Sequence, residues 1–92
     1  MIKSLSVFFP AYNEEQNIVP TVNKAVKVLD DLDLDWEILI VDDGSRDKTG
    51  ELADSLALNN PRIEVIHQKN GGYGSALRAG FYKAKKDWIF FY

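Results

Sequence analysis

The chain contains no cysteine, so neither a disulfide framework nor a thiolate metal site can organise it. Its one histidine, His67, cannot build a His-rich zinc site by itself. It also lacks any block of lysine and arginine. Eleven Lys+Arg face 14 Asp+Glu for a net charge of −3, which removes the electrostatic footprint of phosphate-backbone binders and argues against nucleic acid as a partner. Long apolar runs are missing too: Leu5 to Phe9 and Ile38 to Val41 fall far short of the ~20 residues of a membrane span. Met1-Ile2-Lys3 opens into a strand-like run without a cleavage site, so the chain reads as soluble, unprocessed and cytoplasmic. No repeat, low-complexity tract or Pro/Gly/Ser linker interrupts it, and 92 residues leave room for one domain, 1–92, and not two.

What is present is a regular alternation. Leu5-Ser6-Val7-Phe8-Phe9 is short, β-branched and aromatic, and stops at Pro10, which has no N–H for a sheet ladder. From Ile18 the apolar positions Ile18, Val22, Ala25, Val26 and Leu29 fall on one helical face, with Asn17 as cap and Pro20 inside the first turn. Trp36 to Val41 is the near-continuous apolar run of a strand covered on both faces. Asp47 can cap a second helix carrying Leu52, Ala53 and Leu56, which Asn59-Asn60-Pro61 ends. Arg62 to His67 alternates as a third strand. Gly71-Gly72-Tyr73-Gly74 then leads into a third helix with Ala76, Leu77, Gly80, Phe81 and Ala84 on one side, and Trp88 to Tyr92 reads as a fourth strand.

This β-α-β-α-β-α-β order specifies the α/β class, with a Rossmann-like parallel sheet covered on both faces. A buried parallel strand should be followed by a covering helix, and nothing follows the fourth strand. The sequence therefore reads as the front part of a larger domain whose missing half leaves apolar sheet exposed, with self-association as one way to cover it.

Three strand-to-helix loops carry unusual residues: Pro10 to Glu15, Asp42 to Asp47, and Gln68 to Gly74. In a parallel sheet they share the carboxyl edge and face one crevice. The first two contribute carboxylates, which accept hydrogen bonds and repel phosphate, so this part of the crevice suits a nucleobase imide edge and ribose hydroxyls. Turn chemistry also accounts for Asp42-Asp43-Gly44-Ser45, yet one capping Asp would suffice and Asp47 is available, so Asp43 should be dispensable to the turn. Glu14 and Glu15 suit a solvated loop or a helix start, and Tyr12 either packs on its loop or offers a stacking surface for a base. Gly72-Tyr73-Gly74-Ser75-Ala76-Leu77 lacks the third glycine of a dinucleotide fingerprint and follows the third strand instead of the first. It still places backbone N–H groups at a helix start, where an anion or ring can approach closely. A P-loop motif is missing. His67 reads as a partly exposed strand-end residue, and Lys83, Lys85, Lys86 and Asp87 as a solvated helix end.

Three segments together carry a family likeness: Phe9-Pro10-Ala11-Tyr12-Asn13-Glu14-Glu15-Gln16-Asn17-Ile18, Glu37 to Thr49 with its Val-Asp-Asp-Gly-Ser core, and Asn70 to Gly80. In this order and spacing the chain resembles the start of a family 2 inverting glycosyltransferase of the A-type nucleotide-sugar fold, especially the dolichyl- or polyprenyl-phosphate sugar synthase branch. The resemblance implies that Pro10, Tyr12 and Glu14 line the donor nucleoside, that Asp43 holds the base imide with Asp42 beside it, and that Asn70, Gly72 and Gly74 close on the base. It implies a UDP- or GDP-type sugar donor, a lipid-phosphate acceptor, and a full-length protein at the cytoplasmic face of a membrane. It also implies an Asp-x-Asp motif directly after the fourth strand for Mg2+ or Mn2+, with a catalytic base beyond. Neither lies in these 92 residues, so the expectation is nucleoside binding without metal or transfer.

Two other classes compete. A phospho-receiver domain would place its acid pair after the first strand and a phospho-accepting Asp after the third, whereas here the pair follows the second and His67-Gln68 ends the third. A non-catalytic nucleoside-binding or assembly module would keep the crevice without the transfer machinery.

Overall fold

The computed structural model describes residues 4–86 and 88–91. Met1 to Lys3, the Asp87 of the charged helix end and the Tyr92 expected to close the last strand lie outside the described residues. Strands β1 (Ser4–Ala11), β2 (Asp35–Asp43), β3 (Ile63–Gln68) and β4 (Trp88–Phe91) alternate with helices α1 (Ile18–Asp31), α2 (Thr49–Asn59) and α3 (Tyr73–Lys83). The four strands pair in parallel in the order β3-β2-β1-β4. The α/β parallel sheet expected from the alternation is therefore the one formed. The chain steps outward from β1 to β3 and then returns across the sheet to place β4 on the other flank of β1. That puts a topological switch point at the carboxyl ends of β1 and β4, where ligands of open α/β sheets bind.

The two-residue period of the strands sorts the core into two faces. Val7, Phe9 and Ala11 of β1 and Trp36, Ile38 and Ile40 of β2 pack with Ile18, Val22 and Leu29 of α1 and Ala53 of α2. The intervening Phe8, Leu39 and Val41 are fully buried as well, as the apolar run of β2 requires. On that second face lies α3. Its Gly80 approaches so closely that a Cβ there would stand 2.4 Å from Cδ2 of the Phe8 ring. Phe81 meets the same ring edge to face, with centroids 5.3 Å apart at 72°.

The boundaries differ from the sequence expectation in informative ways. β1 does not stop at Pro10 but pairs it opposite Val41 and continues to Ala11. The described pairing with β4 reaches Phe8 opposite Phe91, and a strand tolerates proline where no ladder bond is asked of its nitrogen. Asn17 stands at the start of α1, but its side chain makes no capping bond; the Glu14 carbonyl instead accepts the N–H groups of Asn17 and Ile18 at 3.0 and 2.8 Å. At the opposite edge of the sheet, the buried Ser6 hydroxyl donates to Glu37 at 2.6 Å and accepts the Lys86 N–H at 3.1 Å, tying the α3–β4 connection down. Lys86 also reaches Asp35 at 2.8 Å, and that hydrogen bond holds the Asp35 carboxyl below its ordinary pKa.

Candidate functional site

β2 extends two residues beyond its expected end, so Asp42 and Asp43 are strand residues opposite His67 and Gln68 of β3. Successive strand side chains point to opposite faces, and this divides the acid pair. Asp42 turns toward α2, and Asp43 toward α3. Both carboxylates are buried, at 6% and 5% exposure, so each must find its own donors.

Asp43 finds them in the loop between β3 and α3. Its Oδ1 accepts from Gln68 Nε2 at 2.8 Å and from the Gly71 N–H at 3.0 Å, and its Oδ2 accepts the Gly72 N–H at 3.0 Å. The Asn70 amide donates to the Asp43 carbonyl at 3.1 Å. Burial works to raise the Asp43 pKa, but the Gln68, Gly71 and Gly72 donors outweigh it and hold the carboxyl below its ordinary value. The next residue, Gly44, has φ +70°, and a Cβ there would stand 2.6 Å from the Asn70 backbone nitrogen. Glycine is required at that position by conformation and by contact alike. Within its own turn Asp43 is dispensable as expected, since Asp42 and Asp47 accept the local N–H groups, but it anchors the loop between β3 and α3, and Asp42, facing the other side of the sheet, cannot take over those donors.

Asp42 makes the turn bond that the sequence suggested, its Oδ1 accepting the Ser45 N–H at 3.1 Å. Its Oδ2 lies 2.9 Å from His67 Nδ1, and His67 Nε2 lies 2.7 Å from Asp54 Oδ1 on α2. The Asp42 and Asp54 partners push the His67 pKa above its ordinary 6.5. Gly50, in the first turn of α2, leaves this group its space: a Cβ there would stand 2.7 Å from Asp42 Oδ2.

The loops after β1 and β2 are zipped together. Asn13, at φ 53°, accepts the Arg46 N–H with its side chain at 2.9 Å and gives its own N–H to Ser45 Oγ at 3.0 Å. The Glu14 N–H donates to Thr49 Oγ1 at 2.7 Å, and the Glu15 N–H to Asp47 Oδ2 at 3.3 Å. Asp47 also accepts the Thr49 N–H at 2.9 Å, the cap-like role expected of it, although Lys48 is the residue at the helix boundary. Ser45 and Thr49 were not among the sequence-derived candidates, and neither was Gln68. Their signal was present only as small hydroxyl or amide residues beside an acidic turn.

Of the remaining candidates, Pro10 and Glu14 line a cleft of about 210 Å3 between the end of β1 and the start of α1, with Ala11, Asn17 and Thr21. That is below the ~300 Å3 at which drug-sized pockets begin. Tyr12, in the loop between Ala11 and Glu14, is 43% exposed. Gly72 and Gly74 are exposed at the start of α3, Gly72 with φ +89° and open space where a Cβ would stand, Gly74 with only Arg78 Nη1 at 3.8 Å. Backbone can therefore be approached closely there. Among the described residues no group of three or more His, Cys, Asp or Glu is placed to hold a metal ion, and no helix is long and apolar enough to cross a membrane.

Comparison with known proteins gives concordant results. Residues 6–92 match the family model described as "Glycosyl transferase family 2". A dolichyl-phosphate beta-glucosyltransferase from Trichomonas vaginalis is 36% identical over 86 residues, covering 87% of this chain and 26% of that protein. An undecaprenyl-phosphate 4-deoxy-4-formamido-L-arabinose transferase from Pectobacterium carotovorum is 36% identical over 88 residues, covering 94% of this chain and 27% of that protein. Among solved structures, S. aureus TarS 1-349 superposes with a TM-score of 0.81 at 26% identity, over 97% of this chain and 26% of that one. The chain thus spans about a quarter of the length of the relatives it matches.

Proposed function

The chain belongs to glycosyl transferase family 2, and from that premise we propose that it forms the donor-nucleoside half of an enzyme moving a sugar from a UDP- or GDP-type donor to a lipid phosphate. The observation that carries this reading is the convergence of the three strand-to-helix loops on one sheet edge beside the β1–β4 switch point, tied into one unit by the buried Thr49 hydroxyl and the buried Asp43 carboxylate. The activities of the dolichyl-phosphate and undecaprenyl-phosphate relatives support the acceptor class. We read the reaction of the working protein as taking place at the cytoplasmic face of a membrane, and the lipid-phosphate acceptor class supports the membrane part of that reading.

Within this reading the roles divide by exposure. Tyr12 offers its ring as a stacking surface, Pro10 and Glu14 wall the cleft for the ribose side, and Asn70, Gly72 and Gly74 let the base close against backbone. A carboxylate offers about four acceptor positions. Three protein donors already engage Asp43, two on Oδ1 and one on Oδ2, so Oδ2 retains capacity for one base N–H. The Mg2+ or Mn2+ that the family resemblance implies finds no fitting donor set among the described residues, because Asp42 and Asp43 diverge and are engaged by protein groups. We assign its ligands, and the catalytic base, to parts of a longer protein. The exposed Ile89 of β4 and Phe81 and Tyr82 of α3 support covering of these surfaces, by such parts or by a second copy.

The test is calorimetric titration of the chain with UDP, GDP and ADP, together with transfer of labelled sugar to a polyprenyl phosphate by a longer protein that contains it. Selective binding of the uridine or guanosine diphosphate, and label in the lipid, are expected. Equal or undetectable binding of all three by folded chain would refute the donor-half assignment, and binding without transfer in the longer protein would favour a non-catalytic module.

A further inference from the structure

We propose that His67 is a positioning residue that holds the loops after β1 and β2 in their mutual arrangement through the Asp42 carboxylate. The inference rests on the assignment of those loops to the nucleotide. The path is continuous in hydrogen bonds. His67 Nδ1 fixes Asp42 Oδ2 at 2.9 Å, Asp42 Oδ1 takes the Ser45 N–H at 3.1 Å, Ser45 Oγ takes the Asn13 N–H at 3.0 Å, and Asn13 Oδ1 takes the Arg46 N–H at 2.9 Å. It runs from the end of β3 to the residue between Tyr12 and Glu14, without His67 itself lying in the cleft.

The geometry also defines the charge state that does this. The ionisable groups facing the ring are Asp42 from β2 and Asp54 from α2, each with an oxygen in hydrogen-bond range of a different ring nitrogen. Ionised carboxylates only accept, so both bonds require a donor on both nitrogens, which neutral imidazole lacks and imidazolium has. Both neighbours favour that protonated ring. The ring is half exposed and exchanges protons freely, while Asp42 is nearly buried, so loss of the proton leaves the Asp42 end of the path to rearrange. Gly50, in a helical first turn where alanine would otherwise be preferred, keeps open the space in which this happens.

The test follows the backbone amides of Asn13 and Ser45 and the His67 ring protons by NMR, between about pH 5 and 9, first without ligand. We expect the two amides to titrate with the ring, at a midpoint above 6.5. Asp54→Asn, at a side chain 61% exposed and therefore compatible with folding, should move amides and ring together to lower pH, and His67→Gln should abolish the transition. Amides that ignore the ring titration in the native chain, or that stay put when Asp54→Asn moves it, overturn the proposal. Titration with UDP and GDP adds the functional arm. Affinity should weaken about threefold or more above the midpoint, the change that accompanies a half-unit pKa difference between free and bound protein. Binding that is strong but independent of pH overturns the proposal. Absence of binding at every pH overturns the donor-half assignment, and the ligand-free titration then decides the role of His67 alone.

Discussion

Asp43→Asn keeps the shape of the side chain and removes its charge. The Asn carbonyl oxygen can still accept from Gln68 and Gly71, but its NH2 group then faces the N–H of Gly72, donor against donor. Hydrogen bonds to a charged acceptor contribute about 1.5–3 kcal/mol and neutral ones about 0.5–1.5, so two bonds weaken and one is lost. Two effects offset part of this: a neutral amide is cheaper to bury, and Gly72 is exposed enough for water to take its N–H. The net cost is about 2 kcal/mol. In a domain of this length that lowers the melting temperature by roughly 8–16 °C. Urea unfolding followed by circular dichroism measures the stability, and hydrogen exchange at Gly71 and Gly72 shows whether the loss is local. Unchanged stability together with unchanged protection of those two amides would refute the assignment of Asp43 as the anchor of the glycine loop.

Gly44→Ala combines a left-handed backbone with a Cβ 2.6 Å from Asn70, so it should destabilise by about 1–3 kcal/mol and weaken nucleotide binding with it; calorimetry on the folded variant checks both. Gly80→Ala gains roughly 1 kcal/mol of helix propensity, but the fully buried Phe8 ring cannot withdraw and overpacking costs about 1–3 kcal/mol, so net destabilisation is expected in urea. Stability should also fall on both sides of neutral pH. The depressed Asp43 pKa contributes stability that is present above 3.8 and lost as pH falls through the folded value; the raised His67 pKa contributes stability that is full below 6.5 and lost as pH rises through its folded value. Urea midpoints measured across pH should therefore decline in acid for the native chain but less for Asp43→Asn, and decline in mild base for the native chain but not for His67→Gln.

The parts of the fold that were legible in the sequence are those whose signal is local. The apolar run Trp36 to Val41 declares a strand buried on both faces, and the spacing of Ile18, Val22 and Leu29 declares one face of α1. Pro10 misled because its cost depends on whether β1 has a neighbour on the side its N–H would face, which is a property of sheet order. Asn17 misled because the Glu14 carbonyl already serves the start of α1. The adjacency of Asp42 and Asp43 suggested one paired site, whereas the two-residue strand period sends them to opposite faces once β2 is known to include them. Apart from Ser45, their partners stand 25 to 29 residues away, and the bonds joining the first two loops span 32 to 35 residues. Such pairings are fixed by topology and leave no periodicity to read. The candidate positions themselves were legible because acidic turns and a glycine run at three strand ends needed no tertiary knowledge to be placed on one edge.

The proposed nucleotide would sit across all three loops, and titration of the isotopically labelled chain with UDP and with GDP, read at every backbone amide, is the measurement that decides it. One of the two nucleotides is expected to shift Tyr12 to Glu15, Asp43 to Arg46 and Asn70 to Gly74 together along a single binding curve, while Lys85 and Lys86 at the opposite end of the sheet stay in place. A folded chain whose loop amides do not move with either nucleotide, or whose shifts gather around Lys85 and Lys86, would contradict it.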